Sequence, residues 1–156
     1  MKNKNFLDEI KKLRVKTKAG IMDCRQALEA SSGDFKKAEE WLREKGIKSA
    51  DKRAQKATGA GLIETYTHGE GKIVGIIELG CETDFVARTA EFKELAHELA
   101  MQVAAMKPKN TKEFLAQVWI RDQGRKIEEL VKELSGKTGE NIKVNRVARF
   151  ELGEEI

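Results

Sequence analysis

Reactive side chains in this 156-residue sequence are sparse and scattered. Two cysteines, Cys24 and Cys81, and two histidines, His68 and His97, stand without the spacing that brings ligands around a metal ion. Cys81 directly follows an apolar run, where a free cysteine is normally an inert core residue, and no histidine sits in a motif that would make it a base for that thiol. Glu82 and Asp84 are two residues apart, a candidate carboxylate pair. At a helix N-terminus, however, the dipole lowers both pKa values, the wrong direction for a general acid at neutral pH. Gly59-Ala60-Gly61 is no dinucleotide fingerprint, because Glu64 takes the place of the third glycine and no strand precedes it. His68-Gly69-Glu70-Gly71-Lys72 lacks the spacing of a phosphate loop and the hydroxyl residue after its lysine. These residues predict no catalytic group, no metal site and no cofactor, and the sequence does not read as an enzyme.

One stretch stands apart. Gly80-Cys81-Glu82-Thr83-Asp84-Phe85-Val86-Ala87-Arg88 joins the most apolar strand-like run, Ile73 to Leu79, to the longest helical pattern, Ala90 to Met106. It sets a carboxylate, Asp84, beside a large apolar ring, Phe85. Thr83 or Thr89 is placed to cap the helix, with Asp84 at the positive end of the dipole. Aromatics at such junctions are more often core than exposed, so the residues alone favour an inward Phe85.

The elements around this junction divide the chain. Residues 5–47 read as three short helices. Phe6, Ile10 and Leu13 form the first stripe, with Leu7 widening it. Ile21, Met22, Cys24, Ala27 and Leu28 mark the second, which Gly33 closes, and Asp34 caps a third bearing Phe35, Ala38, Trp41 and Leu42. The basic stretch Lys48 to Ala57 has almost no apolar stripe and reads as a solvated helical linker, ended by Gly59-Ala60-Gly61. Leu62–Thr67 and Ile73–Leu79 flank a glycine-containing turn as a β-hairpin, the second strand apolar on both faces and therefore central. After the helix to Met106 and Pro108, Thr111 caps a brief helix, Arg125 to Ser135 forms another that Gly136 or Gly139 closes, and Ile142 to Leu152 alternates as a half-buried strand. The alternation breaks at Arg146-Val147, where a bulge is expected. The predicted class is α+β: a three-helix module at residues 1–50, a linker at 51–61, and a core at 62–156 with a three-stranded antiparallel sheet covered by helices. Such a sheet leaves one apolar face open unless a partner subunit covers it.

Thirty basic and twenty-six acidic residues leave a net charge of +4, which permits contact with RNA or an acidic protein surface and demands neither. No apolar run approaches the ~20 residues that span a bilayer, and the free cysteines fit a reducing compartment. The expectation is a cytoplasmic protein with no membrane partner and no specific nucleic-acid partner.

Three segments carry a resemblance to bacterial elongation factor Ts in its short form. Leu13 to Glu29, reading LRVKTKAGIMDCRQALE, is similar to that family's opening signature, and Gly80 to Arg88 resembles its second, centred on Thr-Asp-Phe-Val. The ending from Gly139-Glu140-Asn141-Ile142 to Gly153 looks like its C-terminal strand. The resemblance implies a ubiquitin-associated-like first module and an exchange factor that binds the translational GTPase elongation factor Tu. It implies that Arg14, Ile21 and Met22 of the first module grip a GTPase helix. It further implies that Thr83, Asp84, Phe85 and Val86 intrude near the partner's Mg²⁺ site and loosen the ion and the phosphate loop, releasing GDP. The short form is expected to dimerise through its core sheet. Lys18 stands where the family usually has glycine, so a differently shaped first turn is expected. The passage from Met106 to Thr111 leaves no room for the second core half of larger members. Two other readings stay open: an RNA- or ribosome-binding protein using the basic linker, and a peptide-binding module without exchange activity.

Overall fold

The computed structural model describes residues 2–155, and of their side chains those of residues 5–155. The order is α1 (Lys2–Thr17), α2 (Ile21–Ala30), α3 (Phe35–Arg53), β1 (Ala60–His68), β2 (Ile73–Cys81), α4 (Asp84–Ala87), α5 (Ala90–Met106), α6 (Thr111–Ala116), β3 (Val118–Trp119), β4 (Asp122–Lys126), α7 (Ile127–Thr138) and β5 (Lys143–Glu151). The architecture is α+β, as the periodicities predict.

The first three helices enclose their own small core of Ile10, Leu13, Cys24, Ala27, Leu28, Ala38 and Leu42. Asp34 caps α3 by accepting a hydrogen bond from the Lys37 amide at 3.1 Å. Ser32 and Gly33, both left-handed, turn the chain out of α2. Three residues assigned to the apolar stripes do not belong there. Leu7, Ile21 and Met22 are exposed, because Ile10, Leu13, Cys24, Ala27 and Leu28 already fill the narrow space among three short helices.

Helix α3 does not stop at the module but runs unbroken to Arg53 and packs along α7. The helices meet at glycines: a Cβ on Gly136 would lie 2.5 Å from the Gly46 Cα. Ala50 is buried beyond that crossing. Lys132 pairs with Asp51 at 3.0 Å, and Arg53 Nη1 donates to the Ser135 carbonyl at 3.4 Å. The first half of the stretch read as a solvated helical linker is helical as expected, but it is packed against α7 rather than solvated. Its contacts come from residues more than eighty positions away, which local periodicity cannot register. Gly139, at φ 73°, closes α7, whereas Gly136 lies within the helix as the contact point.

β1, β2 and β5 form one antiparallel sheet in the order β1-β2-β5, with β2 central. Ile77, Leu79, Cys81 and Val144 face the main core with Phe92, Ala96, Leu99 and Val103 of α5. Helix α5 lies so close to β2 that a Cβ on Gly75 would meet the Ala100 carbonyl oxygen at 2.3 Å. On the opposite face the cross-strand rows are Thr67, Val74 and Phe150; Thr65, Ile76 and Ala148; and Ile63, Glu78 and Arg146. Among the described residues no helix covers this face, and Ile63, Phe150 and Leu152 are exposed on it or at its end. Glu78 pairs with Arg146 and Leu79 with Val144, so the bulge falls at Asn145, one residue before the expected place.

Between α6 and α7 the chain forms a two-stranded ribbon, β3 and β4, where the sequence reading places Val118 in the brief helix and Arg125 at the start of the next. The buried Gln102 of α5 holds it in place. Its Nε2 donates to the Val118 carbonyl at 3.0 Å and its Oε1 accepts from the Ile120 amide at 3.0 Å. Asn110, not Thr111, caps α6, accepting from the Glu113 amide at 2.8 Å.

Candidate functional site: an exposed edge between strand and helix

Two caps in succession shape the stretch after β2. Thr83 Oγ1 accepts from the Val86 amide at 3.5 Å and starts the single turn of α4. Thr89 Oγ1 accepts from the Phe92 amide at 3.3 Å and starts α5. Both threonines therefore act, one for each helix. Within α4, Ala87 is buried and Val86 packs against the core. Residues in a helix are ~100° apart, so anchoring Val86 and Ala87 inward turns Asp84 and Phe85 outward. Phe85 is 85% exposed, the largest exposed fraction among the bulky apolar side chains described. The inward reading favoured by the residues alone is overturned: the core already holds Phe92 and Phe114 fully buried, and α4 is too short to swing its ring toward them.

The edge is held from behind. The Glu140 carboxylate accepts from the Glu82 amide at 3.0 Å, the Thr83 amide at 3.1 Å and the Thr83 hydroxyl at 2.6 Å. In return, Glu82 Oε1 accepts from the Asn141 amide at 2.7 Å. The buried Cys81 thiol donates to the Thr83 carbonyl at 3.2 Å. Burial pushes that thiol above its ordinary pKa, and the Glu140 charge adds to the shift, so Cys81 stays protonated at neutral pH.

A second exposed apolar group lies on the three-helix module. Ile21 and Met22 open α2, and Val15 and the exposed Arg14 end α1. The intervening turn keeps Lys18 at φ 57°, the left-handed conformation that glycine favours. Lysine here occupies a glycine-type conformation, and its ammonium pairs with Glu91 in the first turn of α5. Among the described residues no hydrogen bond or ion pair joins Arg14, Ile21 or Met22 directly to the 83–86 segment. The Lys18–Glu91 pair is the bridge between their neighbourhoods.

A cleft of about 450 Å³ opens between the module and α7. Three of its cations are engaged: Lys45 with Asp23 at 2.6 Å, Lys16 with Glu39 at 2.5 Å, and Arg43 with Glu133 at 3.5 Å. Among the described residues no group of three or more His, Cys, Asp or Glu is placed to hold a metal ion, and no helix is long and apolar enough to cross a membrane.

The family model for elongation factor TS matches residues 82–156, from the exposed edge to the end of the chain. Elongation factor Ts of Thermotoga neapolitana is 42% identical to the chain, covering 96% of it and 98% of the relative. The chain belongs to the elongation factor Ts family. Elongation factor Ts of Thermotoga maritima is also 42% identical, over 95% of this chain and 96% of its own length. That of Synechocystis sp. is 40% identical, over 94% and 88% respectively. The alignment with the T. neapolitana relative runs over 192 positions against the 156 residues here, so that elongation factor Ts carries segments this one lacks. Membership makes the chain a translation elongation factor.

Sequence reasoning about this elongation factor Ts missed Glu140, Asn141 and Glu91. Glu140 lies in the quoted ending, but its partner Thr83 is 57 residues away and no local pattern links them.

Proposed function

We propose that the chain is a guanine nucleotide exchange factor for elongation factor Tu and that the Thr83-Asp84-Phe85-Val86 edge drives release of GDP. The observation that carries this reading is the 85% exposure of Phe85 on a backbone fixed by two caps and a carboxylate. A free protein holds a bulky ring in water at no benefit to its own core, whereas insertion between partner helices would bury it for about 1.5–3 kcal/mol. Mg²⁺ demands near-octahedral oxygen ligation, so a small shift of its ligands weakens it and the bound nucleotide together. The factor binds the nucleotide-free GTPase more tightly than the GDP form, and by linkage it weakens GDP by the same ratio. No bond is made or broken on this chain, and it needs no cofactor.

Residues 1–50 then serve as the GTPase-binding module, with Arg14, Ile21 and Met22 as its contacts, 51–61 as the linker, and 62–156 as the exchange and dimerisation core. The open sheet face with Ile63, Val74, Ile76 and Phe150 supports a homodimer in which two sheets cover each other. The protein acts in the cytoplasm, where its GTPase works.

The test is stopped-flow release of fluorescent GDP from elongation factor Tu. Release accelerates with factor concentration and saturates, and the acceleration survives added salt; RNA binding through the basic stretch would instead collapse as salt rises. A release rate unchanged at every factor concentration refutes the exchange reading.

A further inference from the structure

The Glu82–Glu140 pair and Asn141 form a clamp that neither signature segment contains as a whole. We infer that Glu140 is a positioning residue for the exchange reaction: it holds the backbone that aims Asp84 and Phe85, and Asn141 ties that backbone to the end of α3. This inference rests on the exchange reading above.

The geometry is reciprocal. One carboxylate oxygen of Glu140 takes both the Glu82 and Thr83 amides, at 3.0 and 3.1 Å, and the other takes the Thr83 hydroxyl at 2.6 Å. Those amides lie between the end of β2 and the start of α4, where neither sheet nor helix offers them a partner. The same Thr83 hydroxyl oxygen caps α4, so one side chain orients the cap that starts the projecting turn. Hydrogen bonds to an ionised acceptor are the stronger kind, and linked ones reinforce each other.

Asn141 extends the clamp. Its amide donates to Glu82 Oε1 at 2.7 Å, and its Nδ2 donates to the Lys56 and Ala54 carbonyls at 2.7 and 3.3 Å. Lys56 Nζ stands 4.0 Å from Glu82 Oε2 and closes the loop. Asn141 is 6% exposed, so these bonds are sheltered from water. The segment that follows α3 and the exposed edge therefore share one buried anchor. A displacement of about an ångström at a working group can cost ~100-fold in rate, which gives such an anchor its importance.

The experiment compares the full-length chain with Glu140→Ala and Glu140→Gln. GDP release from elongation factor Tu is measured across factor concentrations, with amide hydrogen exchange at Glu82 and Thr83. The alanine variant is expected to lose about tenfold in maximal release rate while its half-saturating concentration stays within about twofold, because the module contacts are intact. Glutamine keeps one carbonyl acceptor for the two amides and is expected to restore most of the rate. Amide protection at Glu82 and Thr83 should fall in the alanine variant and persist in the glutamine variant. A folded alanine variant with undiminished maximal rate overturns the positioning role and leaves the exchange reading standing. A parent chain that never accelerates release overturns the exchange reading, and the positioning role with it. Should the alanine variant fail to fold, the glutamine variant decides: protected amides with near-parental rate support the clamp, and unprotected amides with near-parental rate overturn it.

Discussion

Replacing Gly136 by alanine would place a methyl group where α7 crosses α3. The new Cβ would lie 2.5, 2.8 and 2.9 Å from the Cα, carbonyl carbon and carbonyl oxygen of Gly46, all backbone atoms that no rotamer change can move. Ordinary contact begins at 3.4 Å, so the helices must separate by roughly 1 Å. Overpacking of this kind costs about 1–3 kcal/mol, against about 0.5–1 kcal/mol gained by removing a glycine from a helix. The net expectation is a loss of up to about 2.5 kcal/mol, a fall in Tm of up to roughly 10 °C for a chain of this size. Gly46→Ala provides the control on the other side of the contact. Its Cβ would meet only the Gly136 Cα, at 3.4 Å, so the helix gain should dominate and raise stability by about 0.5–1 kcal/mol. Thermal melts and urea titrations of both variants read the difference. If both substitutions stabilise the protein equally, the helices do not cross at these glycines and the packing of the module on the core is wrong.

Other outcomes follow from the same coordinates. Cys24 and Cys81 are fully buried, and burial raises both thiols above their ordinary pKa. Iodoacetamide at pH 8 should therefore label the native protein far more slowly than the urea-unfolded chain, since the protonated thiol is unreactive; equal rates would place the thiols at the surface. Phe150 is 56% exposed on the open sheet face. Phe150→Asp should convert a dimer into a monomer in sedimentation velocity with little change in the monomer's circular dichroism, and a parent that sediments as a monomer would contradict sheet-to-sheet pairing.

How far the fold could be read from the chain depended on the range of the deciding contacts. The stripe of α5 and the hairpin of β1 and β2 were legible because their determinants recur every few residues. The ribbon of β3 and β4 was not: it is short, its second strand is polar, and it is positioned by Gln102 from another helix. The helical character of the stretch past Lys48 was legible, but its packing was not, since the surface that receives it is on α7. At the candidate site the residues themselves were legible, yet local statistics turned Phe85 inward. Only the anchoring of Val86 and Ala87 reveals why the ring faces water. The glutamate that holds the edge carries no local mark at all.

Phe85→Ala bears most directly on the account, measured as GDP release from elongation factor Tu at saturating factor beside a thermal melt of the same sample. A ring 85% exposed contributes little to the fold, so Tm should stay within about 2 °C of the parent. Loss of about 1.5–3 kcal/mol of burial at the partner predicts a fall in release rate of roughly 10- to 150-fold. A variant that releases GDP as fast as the parent, or that unfolds because the ring was holding the core, would contradict the account.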